Sequence, residues 1–178
     1  MGNNIFKVKK GLVLLLGLLL FNSCQPDEKQ QLINRVNNLE KELFENKKGV
    51  VDTKDAANII HCYLQFADKY PNDTLSPDYL FKAADVSVNV FHSRESVRLF
   101  TRVITEYPKY DKTPQALFLK AFTFENYLGE IDSAKIYYQS FIAQYPNHPF
   151  TNDAQISLQN LGKSPEEIIK GFKVSKQK

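Results

Sequence analysis

Ala134-Lys135-Ile136-Tyr137-Tyr138-Gln139-Ser140-Phe141-Ile142-Ala143-Gln144-Tyr145-Pro146 sets a small residue and two aromatic rings, Ala134, Tyr138 and Phe141, on one helical face and then stops on a tyrosine-proline pair. Proline has no backbone N–H to continue a helix, and its ring pushes the residue before it out of the α region, so the pair marks a helix end. The same pair stands at Tyr70-Pro71 and Tyr107-Pro108, so helix ends recur at intervals of 37 and 38 residues. A period of that size means stacked supersecondary units.

The starts are marked as well. Ser76-Pro77, Thr113-Pro114 and Ser164-Pro165 each offer a hydroxyl for the N-cap and a proline for the first helical position, where a missing N–H is harmless. Ser164 with Glu167 adds a capping box. Between these marks apolar and small residues recur at helical spacing, as in Leu80, Ala83, Ala84 and Ser87, or Leu117, Ala121, Phe124 and Leu128, and no window alternates as a strand would. The expectation is an all-α chain with helices at about 28–46, 53–70, 77–91, 94–107, 114–128, 131–145, 151–161 and 165–173, paired into about four hairpins.

Over residues 53–172 these hairpins resemble tetratricopeptide repeats, most closely the lengthened ones of BamD-type outer-membrane lipoproteins and of the C-terminal domain of the YbgF/CpoB Tol-Pal-associated proteins. The string from Ala134 to Pro146 carries the likeness, and Ser96, Phe100, Val103, Tyr107 and Pro108 answer it one unit earlier. The resemblance implies a right-handed superhelical stack. It makes Ala84 and Ala121 the small residues of the first helix of a hairpin, Ser96 and Ala134 those of the second, and Phe100 and Tyr138 the fillers between hairpins. Pro108 and Pro146 complete the packing set as the residues that end the second helix. Ser96 in place of alanine, Val103 and Phe141 where a small residue is usual, and the absence of tryptophan depart from the family pattern.

Ahead of the repeats the sequence reads as an export signal. Lys7, Lys9 and Lys10 precede an apolar run from Gly11 to Phe21 and then Asn22-Ser23-Cys24, the three-part layout of a secretory leader. The run is well short of the roughly 20 residues a membrane-spanning helix needs, so cleavage is expected. Its end resembles a bacterial lipobox of the looser Bacteroidetes type: Ser23 and Cys24 match, and Phe21 and Asn22 stand where leucine and a small residue are usual. This implies a lipid (palmitate-type) anchor on Cys24 and a lipoprotein of the outer membrane. Gln25-Pro26-Asp27-Glu28 resembles the acidic tag of surface-exported lipoproteins, and the alternative is a plain solvated tether, so the periplasmic side and the cell surface both stay open. The expected divisions are 1–23 signal peptide, 24–50 tether and N-terminal amphipathic helix, 51–173 repeat domain and 174–178 basic tail.

The formal net charge is +3, but removing residues 1–23 leaves 20 basic and 20 acidic residues. The remaining basic concentration, Lys170, Lys173, Lys176 and Lys178, is too small a face for displacing phosphate counterions, so nucleic acid is not an expected partner. Cys24 and Cys62 sit in unlike contexts and do not suggest a disulfide framework; Cys62, between Ile60 and Leu64, reads as a buried thiol. Leu32, Val36, Leu39 and Leu43 form an apolar seam at four-three-four spacing. Two readings fit it: a first helix capping 53–70, or a coiled coil making a homo-oligomer through 28–46.

No local signature of chemistry occurs: no nucleophile elbow, Gly-rich phosphate loop, H-E-x-x-H or C-x-x-C. His61 and Cys62 point roughly 100° apart on a helix and do not converge on one ion, so a half-buried histidine beside a core thiol is expected there. His92 and His148 fall in turns, where histidine is ordinarily solvated. No catalytic residue, metal ligand or cofactor is expected, and what is left is a surface for a protein or peptide. Aligning Ala84 with Ala121 pairs Phe81 with Phe118, Asp85 with Phe122 and Asn89 with Asn126, near Glu125, on the face that lines the concave groove in tetratricopeptide repeats. The competing reading packs Phe81 and Phe118 internally. Two functions follow as expectations: a non-enzymatic envelope scaffold, as the BamD-type and Tol-Pal-associated likeness implies, or a surface lipoprotein for nutrient or glycan capture similar to SusD-like binders. The second needs exposed loop aromatics, of which Tyr110 and Phe150 are among the few.

Overall fold

The computed structural model describes residues 27–45 and 52–175. Cys24, the leader, the start of the tether and residues 176–178 of the basic tail lie outside them. The described elements are all helical: α1 (Glu28–Glu45), α2 (Thr53–Lys69), α3 (Ser76–Phe91), α4 (Arg94–Glu106), α5 (Thr113–Asn126), α6 (Ile131–Gln144), α7 (Thr151–Asn160) and α8 (Pro165–Ser175). From α1 to α7 each helix packs on the next, as expected of stacked hairpins. The ends fall within two residues of those read from the sequence.

Each tyrosine-proline corner is built the same way. Tyr70, Tyr107 and Tyr145 take φ of -126°, -129° and -130° with ψ of 56° to 59°, outside the helical region, while their N–H groups still donate to Phe66, Val103 and Phe141. The chain then returns through a short turn into the next helix. There the hydroxyls behave differently from the sequence expectation. Ser76 and Thr113 are not N-caps, because Leu75 and Lys112 hold those positions. Their hydroxyls instead donate backward across the corner to the carbonyls of Tyr70 (2.6 Å) and Tyr107 (2.8 Å), and Thr151 does the same to Tyr145 (2.7 Å). All three are buried, so the bond is shielded from water and ties the foot of one helix to the end of the one before. Only Ser164 caps as expected: its hydroxyl accepts from the Glu167 N–H at 3.3 Å, and the Glu167 carboxylate accepts from the Ser164 N–H at 2.7 Å.

Two apolar clusters run through the stack. One joins α1 to α5 around Tyr63, Phe66, Leu80, Leu99 and Phe100; the other joins α4 to α7 around Leu117, Phe124, Tyr138 and Phe141. Ala84, Ala121, Ala134 and Ser96 are fully buried where helices approach. Serine substitutes for alanine at 96 because its hydroxyl donates to the Ser93 carbonyl at 2.6 Å and so brings no unmet polar group into the core. Pro108 and Pro146, expected among the packing residues, are exposed. Their contribution is to end a helix, which needs no burial.

The seam of α1 is occupied within the chain. Leu32 and Val36 are buried, Leu39 and Leu43 half-buried, all against the cluster that holds α2, and the Tyr63 hydroxyl donates to Glu40 at 2.8 Å. A coiled-coil contact through the same residues would have to expose that surface first. Thr113→Val, which keeps the shape and deletes the corner bond, is expected to lower stability by about 1 kcal/mol, against about 3–5 kcal/mol for Phe100→Ala in the core. Urea unfolding with an unchanged denaturant slope checks both.

Candidate binding face

The first helices of the second and third hairpins, α3 and α5, carry the expected binding residues, and the structure adds partners, one of them on α1, that the sequence did not single out. On α3, Asp78 and Lys82 lie one turn apart and pair at 3.1 Å. Lys82 also reaches Glu40 of α1 at 2.9 Å, while Asp78 accepts from the Tyr110 hydroxyl and the Lys112 ammonium, each at 2.8 Å, in the corner before α5. One chain of charges thus joins the first hairpin, the second and the approach to the third. Burial by itself would raise the Asp78 carboxyl, but the hydrogen bonds from Lys112, Tyr110 and Lys82 outweigh it and hold the group below its ordinary value. Farther along α3, Asp85 is half-buried with a weaker partner, the Asn89 amide at 3.3 Å. Here burial wins and pushes the carboxyl up.

On α5 the face is aromatic. Phe118 packs against Phe150 (5.1 Å between ring centroids), Phe141 (5.7 Å) and Tyr138 (5.8 Å), and neighbours Phe122 at 6.5 Å. Phe122 meets Tyr127 edge-on at 6.0 Å, and Tyr127 stacks on His92 at 4.4 Å. His92 ends α3 in the left-handed region, with φ of 48°, and its ring Nδ1 lies 2.8 Å from the Val88 carbonyl oxygen. A strip of rings therefore links α5 to the end of α3. Glu125 accepts from the Tyr138 hydroxyl at 2.6 Å.

Comparing hairpins by position shows a repeated contact in polar and apolar versions. In the first hairpin it is Tyr63, Glu40 and the incoming Lys82; in the third it is Tyr138, Glu125 and the incoming Ser157. In the second the same places hold Phe100 and Val88, both buried, and Leu119, half-buried against the same cluster. Losing the tyrosine hydroxyl goes with losing the carboxylate, which leaves no buried acceptor without a donor.

The expected groove residues divide. Phe81 is buried, against Phe100 (6.0 Å) and Tyr110 (6.4 Å) with the Lys112 ammonium over its ring, and is core rather than groove wall. Phe118, Phe122, Asp85 and Glu125 are half-exposed, and Asn89 and Asn126 are exposed. Each asparagine amide already donates to the carbonyl one turn back, at 2.8 Å to Asp85 and 3.1 Å to Phe122, so part of its donor capacity is spent inside the helix. Glu40, Asp78, Lys82 and Lys112 were missed because their partners come from different hairpins. The spacing of Asp78 and Lys82 was the one signal available.

The histidines differ from expectation in detail. His61 is exposed rather than half-buried beside the buried Cys62, whose thiol burial pushes up. His148 is half-buried and structural: its Nδ1 accepts from the Phe150 N–H at 3.2 Å, and its ring meets Phe141 and Phe150 edge-on. Among the described residues there is no cluster of three metal-ligating side chains, and no helix is long and apolar enough to cross a membrane.

Residues 115–148, spanning α5, α6 and the start of the next corner, match the family model of the tetratricopeptide repeat. The third hairpin is thus similar to a tetratricopeptide repeat. No curated protein matches the chain. The all-helical order on either side of the matched hairpin continues the same architecture, which is a scaffold for protein contacts and generally not an enzyme fold.

Opposite pH responses follow on this face. A carboxyl raised by folding adds stability only at low pH and loses it as pH rises through its folded value, so charged Asp85 opposes folding at neutral pH. Asp85→Asn should raise the unfolding midpoint at neutral pH, with the gain vanishing at about pH 3. Asp78 is lowered, contributes above the ordinary carboxyl value, and loses that contribution as pH falls through its folded value. Asp78→Asn should therefore lower the neutral midpoint and matter little in acid. Thermal unfolding of both variants at the two pH values checks the signs.

Proposed function

We propose that this chain is an outer-membrane lipoprotein, anchored through Cys24, that docks a protein partner of envelope assembly or maintenance along the first-helix face of its repeats. The observation that carries the docking half is the pairing on that face of a half-exposed ring, Phe122, with exposed amides, Asn89 and Asn126, all on helices held by a packed core that takes up Phe118. Rings supply apolar anchors and amides answer a peptide backbone, the combination that recognition of an extended or helical segment needs. The anchoring half rests on the leader, on the Ser23-Cys24 ending and on the likeness to BamD-type and Tol-Pal-associated proteins. Glycan capture is the weaker reading. Tyr110 is spent on Asp78 and Phe150 on Phe118, so neither loop ring is free as a sugar platform.

Labelling cells with a fatty-acid analogue should mark the wild type and leave Cys24→Ala unmarked; equal label would remove the anchor from the proposal. Replacing Asn89 and Asn126 together with alanine should leave thermal stability nearly unchanged, since both side chains are exposed, and weaken in-cell crosslinking to the partner about five-fold or more, the effect of losing over ~1 kcal/mol of contact. Undiminished crosslinking by a folded double variant would sink the docking face.

A further inference from the structure

The start of α1 is tied to the first tyrosine-proline corner. The Lys29 ammonium pairs with Asp73 and the Lys69 ammonium with Glu28, so the charges at the beginning of the helix are spent on each other. The second corner lies beside the first, because the Tyr107 hydroxyl donates to the Pro71 carbonyl at 3.0 Å, and its Tyr110 reaches Asp78 in the first turn of α3. The third corner stands in the same relation to α5, where its Phe150 packs on Phe118 at 5.1 Å between ring centroids. The start of α1 and the three corners therefore share one edge of the stack. Pro71, Asn72, Pro108, Lys109, Pro146 and Asn147 are exposed along it. Asn89 and Asn126 each lie thirteen residues past the buried hydroxyl that opens their helix, Ser76 or Thr113, which is about 20 Å farther along α3 and α5.

We propose that this corner edge is the surface the protein sets against phospholipid headgroups, with the docking residues held away from the bilayer. The inference rests on the anchor at Cys24 and adds the orientation that such an anchor imposes. Cys24 stands three residues before Asp27, and three residues span at most about 11 Å even when fully extended. The headgroup layer on each side of a bilayer is itself about 5–8 Å deep. Acyl chains in the hydrocarbon therefore bring the start of α1 down to the headgroups, and with it the corner to which Glu28 and Lys29 are paired. The edge suits that place. Its exposed prolines and asparagines bring no charge to be desolvated, and the Lys109 ammonium, in no ion pair with a described residue, can meet a lipid phosphate. Asn89 and Asn126 then stand in water, so the partner they take is a soluble protein or the water-exposed part of one, not a segment inside the membrane.

The test uses the full chain, purified from cells in detergent and reconstituted into vesicles of phosphatidylethanolamine and phosphatidylglycerol in which a fraction of the lipid carries a nitroxide on its headgroup. Single cysteines bearing a fluorophore report their distance from that quencher. Cys62 is buried, and the parent chain measures its background. Asn72→Cys and Asn147→Cys sit on the corner edge, whereas Asp132→Cys, at the start of α6, and Lys41→Cys, in the last two turns of α1, sit at the opposite edge; all four positions are exposed. Quenching at the two corner positions should exceed that at the other two about three-fold or more. A chain that does not float with the vesicles would overturn the anchor and this proposal together. A chain that floats but is quenched equally at all four positions swings freely on its tether, and one quenched at Lys41→Cys as strongly as at Asn72→Cys lies along α1. Either result would overturn the orientation and leave the anchor standing. Two positions on each edge keep one misfolded variant from deciding the outcome.

Discussion

A tyrosine held out of the helical region by the proline after it, with its carbonyl taken by a hydroxyl six residues on, is the contact on which the stack depends. Helices have no intrinsic reason to stop at a common length, and hairpins stack only if their ends come into register. The proline stops the helix, and the buried Ser76, Thr113 or Thr151 hydroxyl then fixes where the next one begins. That bond is repeated, and with it the backbone angles of the corner tyrosines. Small residues such as Ala84, Ala121 and Ala134 can then meet their neighbours at close range at each level.

Given that register, polar groups can be placed inside the stack without an energetic penalty for isolation. The contact between tyrosine, carboxylate and incoming side chain occurs in the first and third hairpins and is replaced as a set by Phe100, Val88 and Leu119 in the second. A lone substitution in either direction would leave a buried hydroxyl or carboxylate unmatched, at about 1–3 kcal/mol. The charge chain from Glu40 through Lys82 and Asp78 to Lys112 uses the same logic nearer the surface. There it holds three hairpins in one alignment and leaves Asp85 and the ring strip as the part of the face not committed to structure. Binding residues of a repeat protein can only be those the repeats themselves do not consume, and on this face that excludes Phe81 and retains Phe122, Asn89 and Asn126.

Much of the architecture could be read from residues 53–173 alone. Proline, the capping box at Ser164 and the recurrence of small and apolar residues act through the local backbone, so the helices, their order and their ends follow from short windows of sequence. Even there the roles of Ser76 and Thr113 were misread, because an N-cap and a back-bond across a corner have the same local signature and differ only in where the previous helix ends. The same holds for Pro108 and Pro146, whose effect on the backbone is local while their exposure is set by the fold.

What only the tertiary structure decided are the contacts made between residues from different hairpins. The α1 seam could have met α2 or another chain, and the choice rests on Tyr63, Glu40 and Lys82, which converge from 23 and 42 positions apart. Whether Phe81 faced a ligand or Phe100 and Tyr110, whether Tyr110 was a free ring or a donor to Asp78, and whether Asp85 met a cation or only the Asn89 amide were all open for the same reason. Helical periodicity assigns a residue to a side of its own helix. The neighbour it meets there depends on crossing angles and corner geometry, which are properties of the assembled stack and not of any segment within it.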